Sequence, residues 1–164
     1  MTNPIGDFIW YELMTPDPEG SKKFYDAVVG WNVSGAEEAY NGYRMIGRSD
    51  GGFAGGFLPL TPDMQSNGAF PTWLGYIFVD DVDKKIAAIE AAGGKTWMPA
   101  TDIPNVGRVA LLSDPQAAPF YVMRRPFHLP SALRVMVAPS AVPVNVRFPL
   151  KLIVPAEPRA NAWR

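Results

Sequence analysis

The sequence predicts an α+β domain made of two copies of one strand–helix unit. The first copy lies in residues 6–31, where the run FIWYELM predicts a strand and a helix-starting segment follows it. The second copy lies in residues 73–94, where the run WLGYIFV predicts a strand that again leads into a helix. The two copies start roughly 65 residues apart, and a unit repeated once in a short chain indicates internal duplication. We expect the functional site where the two halves face each other.

The first helix is predicted from its two ends. Asp17 can accept a hydrogen bond from a free N–H group of the first turn, and Pro18 suits that turn because no intrahelical bond is lost there. Gly30 ends the helix, since glycine readily adopts the left-handed conformation of a C-terminus. Between these ends an apolar stripe has helical spacing: Phe24, Tyr25, Val28 and Val29.

Three further strands complete the first half, at residues 31–34, 40–47 and 51–58. The last of them, GGFAGGFL, is rich in glycine, which indicates a bulge or a place where a backbone or ligand comes close. Residues 59–71 contain three prolines and a glycine, so we expect a loop between the halves.

The second half repeats this order. Its helix has an aspartate pair at the start, an apolar face, and a glycine pair at the end: Asp80 and Asp81, then Val82, Ile86 and Ile89, then Gly93 and Gly94. The remaining segments are predicted as a strand at 95–98, a loop at 99–107, and strands at 108–113 and 118–123. The turn Asp114-Pro115-Gln116 joins the last two strands, because aspartate can bond to the backbone and proline fixes φ. Each half is therefore a βαβββ module.

Composition excludes several classes of protein. The chain has 164 residues, 48% of them hydrophobic, with a formal net charge of −1, which is typical of a water-soluble globular domain. It has no cysteine, so it has no disulfide, thiolate nucleophile or thiolate metal site. No apolar run is long enough for a membrane span, and we expect a cytoplasmic protein without membrane partners.

The charge is distributed unevenly along the chain. Residues 1–125 carry 10 basic and 15 acidic side chains, net −5, whereas residues 126–164 carry 5 basic and 1 acidic, net +4. The acidic part argues against nucleic-acid binding, which needs a basic face. The second part contains seven prolines. We therefore predict one domain at 1–125 and a proline-rich, basic C-terminal appendage at 126–164.

Several short motifs together resemble one known superfamily. They are Phe24-Tyr25, Gly30-Trp31, Gly93-Gly94 and Asp114-Pro115 at their observed spacings. This combination is similar to the glyoxalase/bleomycin resistance/extradiol dioxygenase superfamily, with its vicinal oxygen chelate fold. The resemblance implies paired βαβββ modules, at about residues 6–58 and 72–124, whose strands curve round an open, barrel-like cavity. It also implies a homodimer.

The resemblance further implies four positions that hold metal ligands in the metal-using members. Counted from the motifs, they fall at Trp10, Leu74 and Tyr121, with the fourth near Gly55 or Gly56. None of these residues can ligate a divalent metal well. The chain has a single histidine, His128, in the appendage, so a two-histidine site in one chain is impossible. We therefore predict no metal and no cofactor.

If Trp10, Leu74 and Tyr121 point into the cavity, as the resemblance implies, strand alternation gives the full set of side chains that line it. They are Phe8, Trp10, Glu12 and Met14 on the first strand, Leu74, Tyr76 and Phe78 on the fifth, and Pro119, Tyr121 and Met123 on the last. Such an apolar, aromatic wall is typical of a small-molecule pocket, and equally of a packed core. Glu12 is the only charge inside a strong strand, and an unpaired carboxyl there should have a raised pKa. If it is paired, Arg44 or Arg108 is the expected partner. Glu12 can also lie in a structural ion pair, or at a rim facing water.

Three functions remain open. The first is binding or sequestration of a small, aromatic molecule, with a ligand site at Trp10, Arg44, Leu74, Tyr76, Arg108 and Tyr121. The second is a metal-independent enzyme of the lyase, isomerase or hydroxylase kind, with Glu12 as the catalytic acid or base. The third is a metal-dependent lyase or dioxygenase, as the superfamily resemblance implies. The first is preferred.

Overall fold

The computed structural model describes residues 3–36, 41–104 and 106–125. The first module consists of β1 (Phe8–Thr15), α1 (Pro18–Val29), β2 (Asn32–Val33), β3 (Arg44–Gly47) and β4 (Phe53–Pro59). A short helix α2 (Pro62–Ser66) connects it to the second module, which consists of β5 (Thr72–Phe78), α3 (Val82–Ala91), β6 (Lys95–Ile103), β7 (Gly107–Ser113) and β8 (Pro119–Arg124). The predicted α+β class and the βαβββ order of both halves are confirmed. The predicted appendage at 126–164 lies outside the described residues.

The two modules form one mixed sheet of eight strands, in the order β2-β3-β4-β1-β5-β8-β7-β6. They meet where β1 and β5 pair antiparallel, with Trp10 opposite Tyr76 and Glu12 opposite Leu74. An approximate two-fold axis between β1 and β5 relates the modules. Because Asp17 and Asp81 cap the equivalent helices, Trp10 corresponds to Leu74 and Glu12 to Tyr76. The modules therefore pair within one chain, and the sheet is open rather than a closed barrel.

The two main helices begin where the sequence predicts. The Asp17 side chain accepts a hydrogen bond from the Gly20 N–H, and Gly30 has a φ of 76° in the left-handed region. At α3 the Asp81 side chain accepts from the Lys84 N–H. These contacts satisfy N–H groups that the first turn of a helix leaves without an intrahelical partner.

Two segments differ from the prediction. Residues 62–66 form α2 instead of a loop, because Thr61 caps the Met64 N–H and Met64 is buried in the core. β6 continues through Pro99 to Ile103, where a loop was expected. In the described sheet β6 is an edge strand that pairs only with β7, and its register shifts at two points. An edge strand of this kind tolerates a proline.

The core has three parts. The largest cluster covers the face of the sheet that carries Trp10 and Met14, which we call the inner face, and it includes residues of both modules and of the α2 segment. Two smaller clusters lie on the opposite, helix face, one with Tyr25 of α1 and one with Ile86 and Ile89 of α3. Within the described part of the chain, no helix is long and apolar enough to cross a membrane.

Candidate functional site

The inner face brings together five of the residues predicted to form the site. Trp10 and Glu12 come from β1, Leu74 and Tyr76 from β5, and Tyr121 from β8. All five are buried. The parallel pairing of β5 and β8 sets Tyr76 beside Tyr121, and their rings stack with centroids 4.2 Å apart. The predicted alternation is therefore confirmed at these positions.

Glu12 lies at the centre of this group and is 0% exposed. Its Oε2 atom accepts two hydrogen bonds, from the Tyr43 hydroxyl and from the Tyr76 hydroxyl, each at 3.2 Å. The Tyr43 hydroxyl in turn accepts from Trp10 Nε1 at 3.0 Å. Glu12 Oε1 is buried and has no hydrogen-bond partner among the described residues. We call Trp10, Glu12, Tyr43, Tyr76 and Tyr121 the Glu12–tyrosine cluster.

Burial determines the protonation of this cluster. It raises the pKa of Glu12 to about 7, and the two tyrosine hydrogen bonds only partly oppose this effect. Burial, and then the nearby Glu12 charge, raise the pKa values of Tyr43, Tyr76 and Tyr121 well above their ordinary value. Among these four groups, only Glu12 therefore titrates near neutral pH.

Tyr43 is the member of the cluster that the sequence did not reveal. It reaches Glu12 because Gly56, the neighbour of Glu12 on β4, has no side chain. A Cβ atom on Gly56 would lie 2.2 Å from Cε1 of the Tyr43 ring. In the second module the position equivalent to Gly56 is occupied by Tyr121, which lies beside Tyr76. The glycine-rich strand was predicted to allow a close approach, and Tyr43 is the group that makes it.

The two arginines lie elsewhere, so the predicted pairing of Glu12 with Arg44 or Arg108 is wrong. Arg44 follows Tyr43 and therefore points to the opposite side of β3, where its Nη2 lies 2.9 Å from Glu19 Oε2 of α1. Arg108 forms ion pairs with Asp83 at 2.9 Å and with Asp102 at 2.8 Å. Neither belongs to the inner-face group.

Phe8 also departs from the predicted inner face. The register between β1 and β5 shifts between Phe8 and Trp10, which places Phe8 on the other side of the sheet. Phe8 is 55% exposed and its ring stacks on Tyr11 at 5.8 Å. Ile9, and not Phe8, packs against the inner-face cluster.

The four positions that the superfamily resemblance assigns to metal ligands do not fit a divalent ion. They carry an indole, an isobutyl group, a phenol and a glycine hydrogen, at Trp10, Leu74, Tyr121 and Gly56. Glu12 is the only carboxylate buried in the described residues. In those same ranges no three His, Cys, Asp or Glu side chains come together in a group that could hold a metal. His128 lies outside them.

Two open cavities lie away from Glu12. One, of about 330 Å³, is on the helix face and is almost entirely apolar; its lining is Tyr11, Tyr25, Trp31, Ile46, Ala54 and Trp73. The other, of about 380 Å³, lies beside Arg108 at the end of β7. On the inner face the aromatic rings pack against each other, so access to Glu12 requires a side chain to move.

Comparison with known proteins gives a consistent family. A sequence model of the Glyoxalase/Bleomycin resistance protein/Dioxygenase superfamily matches residues 8–118. CFP32 of Mycobacterium tuberculosis, named as a candidate glyoxylase, is 39% identical over 125 residues, covering 76% of this chain and 46% of CFP32. DnrV of Streptomyces peucetius, an anthracycline biosynthesis protein, is 29% identical over 126 residues, covering 71% of this chain and 46% of DnrV. The chain therefore spans less than half the length of these curated relatives.

Solved structures share the fold. A methylmalonyl-CoA epimerase from Streptomyces coelicolor, in complex with 2-nitronate-propionyl-CoA, is 19% identical with a TM-score of 0.52, covering 74% of this chain and 99% of that one. Homoprotocatechuate 2,3-dioxygenase from B. fuscum is 19% identical with a TM-score of 0.53, covering 77% of this chain and 35% of that one. At this identity the likeness shows the fold alone.

Proposed function

Because the chain belongs to the glyoxalase/bleomycin resistance protein/dioxygenase superfamily, we propose that its inner face binds a small aromatic molecule beside Glu12 without a metal ion. The observation that carries this proposal is the buried Glu12 Oε1, which has no hydrogen-bond partner. Leaving such an atom unsatisfied costs about 1–3 kcal/mol, so a bound molecule that satisfies it gains that free energy. The names of two relatives also refer to small-molecule chemistry: CFP32 is named as a candidate glyoxylase and DnrV as an anthracycline biosynthesis protein.

Trp10 is the side chain that a ligand meets first. It is 8% exposed, the highest value in the Glu12–tyrosine cluster, whereas Tyr43 and Tyr121 are only 2% and 1% exposed. Its indole N–H is held by one hydrogen bond, to the Tyr43 hydroxyl. A rotation of Trp10 exchanges this bond for contact with a ligand ring and opens the route to Glu12. The stacked rings of Tyr76 and Tyr121 supply the flat wall that an aromatic ligand prefers.

A fragment screen with aromatic compounds tests this proposal, with thermal shift as the first readout and NMR shift mapping as the second. We expect binders that perturb the Trp10 indole N–H signal, and we expect Trp10→Ala to weaken them. The matched control is Ala54→Leu, which fills the helix-face cavity and should leave these binders unaffected. Loss of binding in Ala54→Leu alone, or no binder in the screen, contradicts the proposal.

A second function is supported by the protonation of Glu12. A carboxyl group with a pKa of about 7 exists in both forms near neutral pH, which suits a general acid or base. Tyr76, which donates to Oε2, would hold the carboxyl in place during lyase, isomerase or hydroxylase-like chemistry. For any substrate found, Glu12→Gln should abolish turnover while binding persists. Unchanged turnover in this variant contradicts the catalytic role.

A homodimer is a separate proposal. Helix α1 exposes three apolar side chains, Phe24, Val28 and Val29, and a second copy that covers them would remove this surface from water. Light scattering after size exclusion tests it: a mass of two chains supports the dimer, and a mass of one chain contradicts it. The cytoplasmic location and the lack of nucleic-acid binding stay predictions.

A further inference from the structure

The two oxygens of the Glu12 carboxyl are in different surroundings. Oε2 accepts hydrogen bonds from both Tyr43 and Tyr76, whereas Oε1 is equally buried and has no partner. Within the described residues no ion pair joins Glu12 to a cation, and the two expected partners bond elsewhere, Arg44 to Glu19 and Arg108 to two aspartates. Among the described residues, the titratable groups that face Glu12 are the hydroxyls of Tyr43, which directly precedes β3, of Tyr76 on β5 and of Tyr121 on β8.

The direction of the hydrogen bonds fixes where the proton of a neutral Glu12 resides. The Tyr43 hydroxyl accepts from Trp10 Nε1, so its own hydrogen is free to donate to Oε2. Tyr76 donates to the same oxygen. An oxygen that accepts two hydrogen bonds behaves as the carbonyl oxygen of the acid, so the O–H group is at Oε1. This O–H is a buried donor without an acceptor.

We propose that Glu12 Oε1–H donates a hydrogen bond to a carbonyl oxygen of the bound molecule, so that the inner face selects aromatic ketones or quinones over the matching hydrocarbons. This inference rests on the proposed binding function and adds the polar group that the ligand must carry. A ligand carbonyl satisfies the donor that the described residues leave unpaired at Glu12, whereas a hydrocarbon leaves this donor buried and unpaired. Sites that are built to hydrogen-bond a ligand group discriminate strongly against analogues without it.

The proton makes this selectivity dependent on pH. Below the Glu12 pKa of about 7 the donor is present, and above it the carboxylate is an acceptor that repels a carbonyl oxygen. The Glu12→Gln variant keeps a hydrogen-bond donor at this position but cannot ionise. The Gln amide oxygen can accept from the two tyrosines, and its NH₂ group donates where Oε1–H stood, at every pH.

The experiment compares 1-indanone with indane, which differ in one carbonyl oxygen, by NMR titration of the full chain at about pH 5.5 and about pH 8.5. For the wild type we expect indanone to bind at least about 10-fold tighter than indane at the lower pH, equivalent to about 1.4 kcal/mol, and the preference to vanish at the higher pH. Glu12→Gln should keep the preference at both values. Glu12→Leu should lose it at both.

Other results overturn the inference in distinguishable ways. If both compounds bind to the inner face with equal affinity at the lower pH, the inference is wrong while the proposed binding function stands. The same holds if the wild-type preference is unchanged at the higher pH. If neither compound binds, and no other aromatic fragment binds, the inference and the proposed binding function are both wrong.

An infrared measurement on the wild type gives an answer even if the variants do not fold. At the lower pH, the spectrum should contain a carboxylic-acid carbonyl band that disappears at the higher pH. This band should shift when indanone is added and remain unchanged with indane. If the band is missing at the lower pH, or if its position does not change when indanone is added, the inference is contradicted.

Discussion

The buried carboxyl of Glu12 should make the stability of the protein fall as pH rises. In the folded state burial raises the pKa of Glu12 from an ordinary 4.5 to about 7. Between these two values the unfolded chain releases the Glu12 proton while the folded chain keeps it, so ionisation favours the unfolded state. The stabilising contribution is thus complete below the unfolded pKa and is lost as pH rises through the folded pKa.

The magnitude follows from the two pKa values. Their difference, at about 1.4 kcal/mol for each pH unit, corresponds to a total loss of about 3 kcal/mol, of which about 2.5 kcal/mol falls between about pH 5 and about pH 8. Glu12→Gln cannot ionise and escapes this loss. The free energy of unfolding of the variant minus that of the wild type should therefore increase by about 2.5 kcal/mol over that range.

Urea denaturation followed by tryptophan fluorescence measures this difference at each pH. Glu90→Gln is the matched control, because it makes the same substitution at an exposed carboxyl on α3. A Glu12→Gln difference that is flat within about 0.5 kcal/mol, or that decreases with pH, would refute the reasoning. Because both proteins share every other ionisable group, the remaining pH effects cancel in the subtraction.

Three further substitutions test the packing around Glu12 and the separation of the arginines from it. Tyr43→Phe removes the hydroxyl that joins Trp10 to Glu12, so a loss of about 1–3 kcal/mol in urea denaturation is expected, with a further rise in the Glu12 pKa. Gly56→Ala places a Cβ 2.2 Å from the Tyr43 ring and should cost about 1–3 kcal/mol, whereas Gly35→Ala, with nothing within 4 Å, should be nearly neutral; equal costs contradict this account. Arg108→Ala breaks two exposed ion pairs and should cost less than about 1 kcal/mol, with no effect on aromatic binders; weakened binding would return Arg108 to the site.

Local chemistry made the elements and much of the site predictable. Asp17 and Gly30 mark the ends of α1 through interactions with neighbours in sequence, so the sequence alone contains the signal. Within a strand, strict alternation then places Trp10 and Glu12 on one face. The superfamily resemblance supplied Leu74 and Tyr121, alternation from Leu74 added Tyr76, and the structure brings these three side chains together with Trp10.

What the sequence could not predict depends on pairing between distant strands. Whether Tyr43 or Arg44 faces Glu12 depends on the register of β3 against β4. A shift of one residue in this register would exchange the two side chains between the faces of the sheet. Arg44 or Arg108 was the expected partner of a paired Glu12, whereas the gap at Gly56 admits the ring of Tyr43 instead. The outward position of Phe8 similarly follows from a register shift against β5, for which the β1 sequence has no local signal.

The two modules enclose a carboxyl group that tyrosine hydroxyls hold and that stays protonated up to about pH 7. Carbon-detected NMR of the Glu12 side-chain carboxyl, assigned by comparison with Glu12→Gln and followed through a pH titration, measures this most directly. We predict a midpoint of about 7, with the Glu12 carboxyl still protonated at a pH where exposed glutamates have ionised. A midpoint at the ordinary glutamate value would show that Glu12 reaches water or a cation, and it would contradict both the proposed site and the inferred carbonyl recognition.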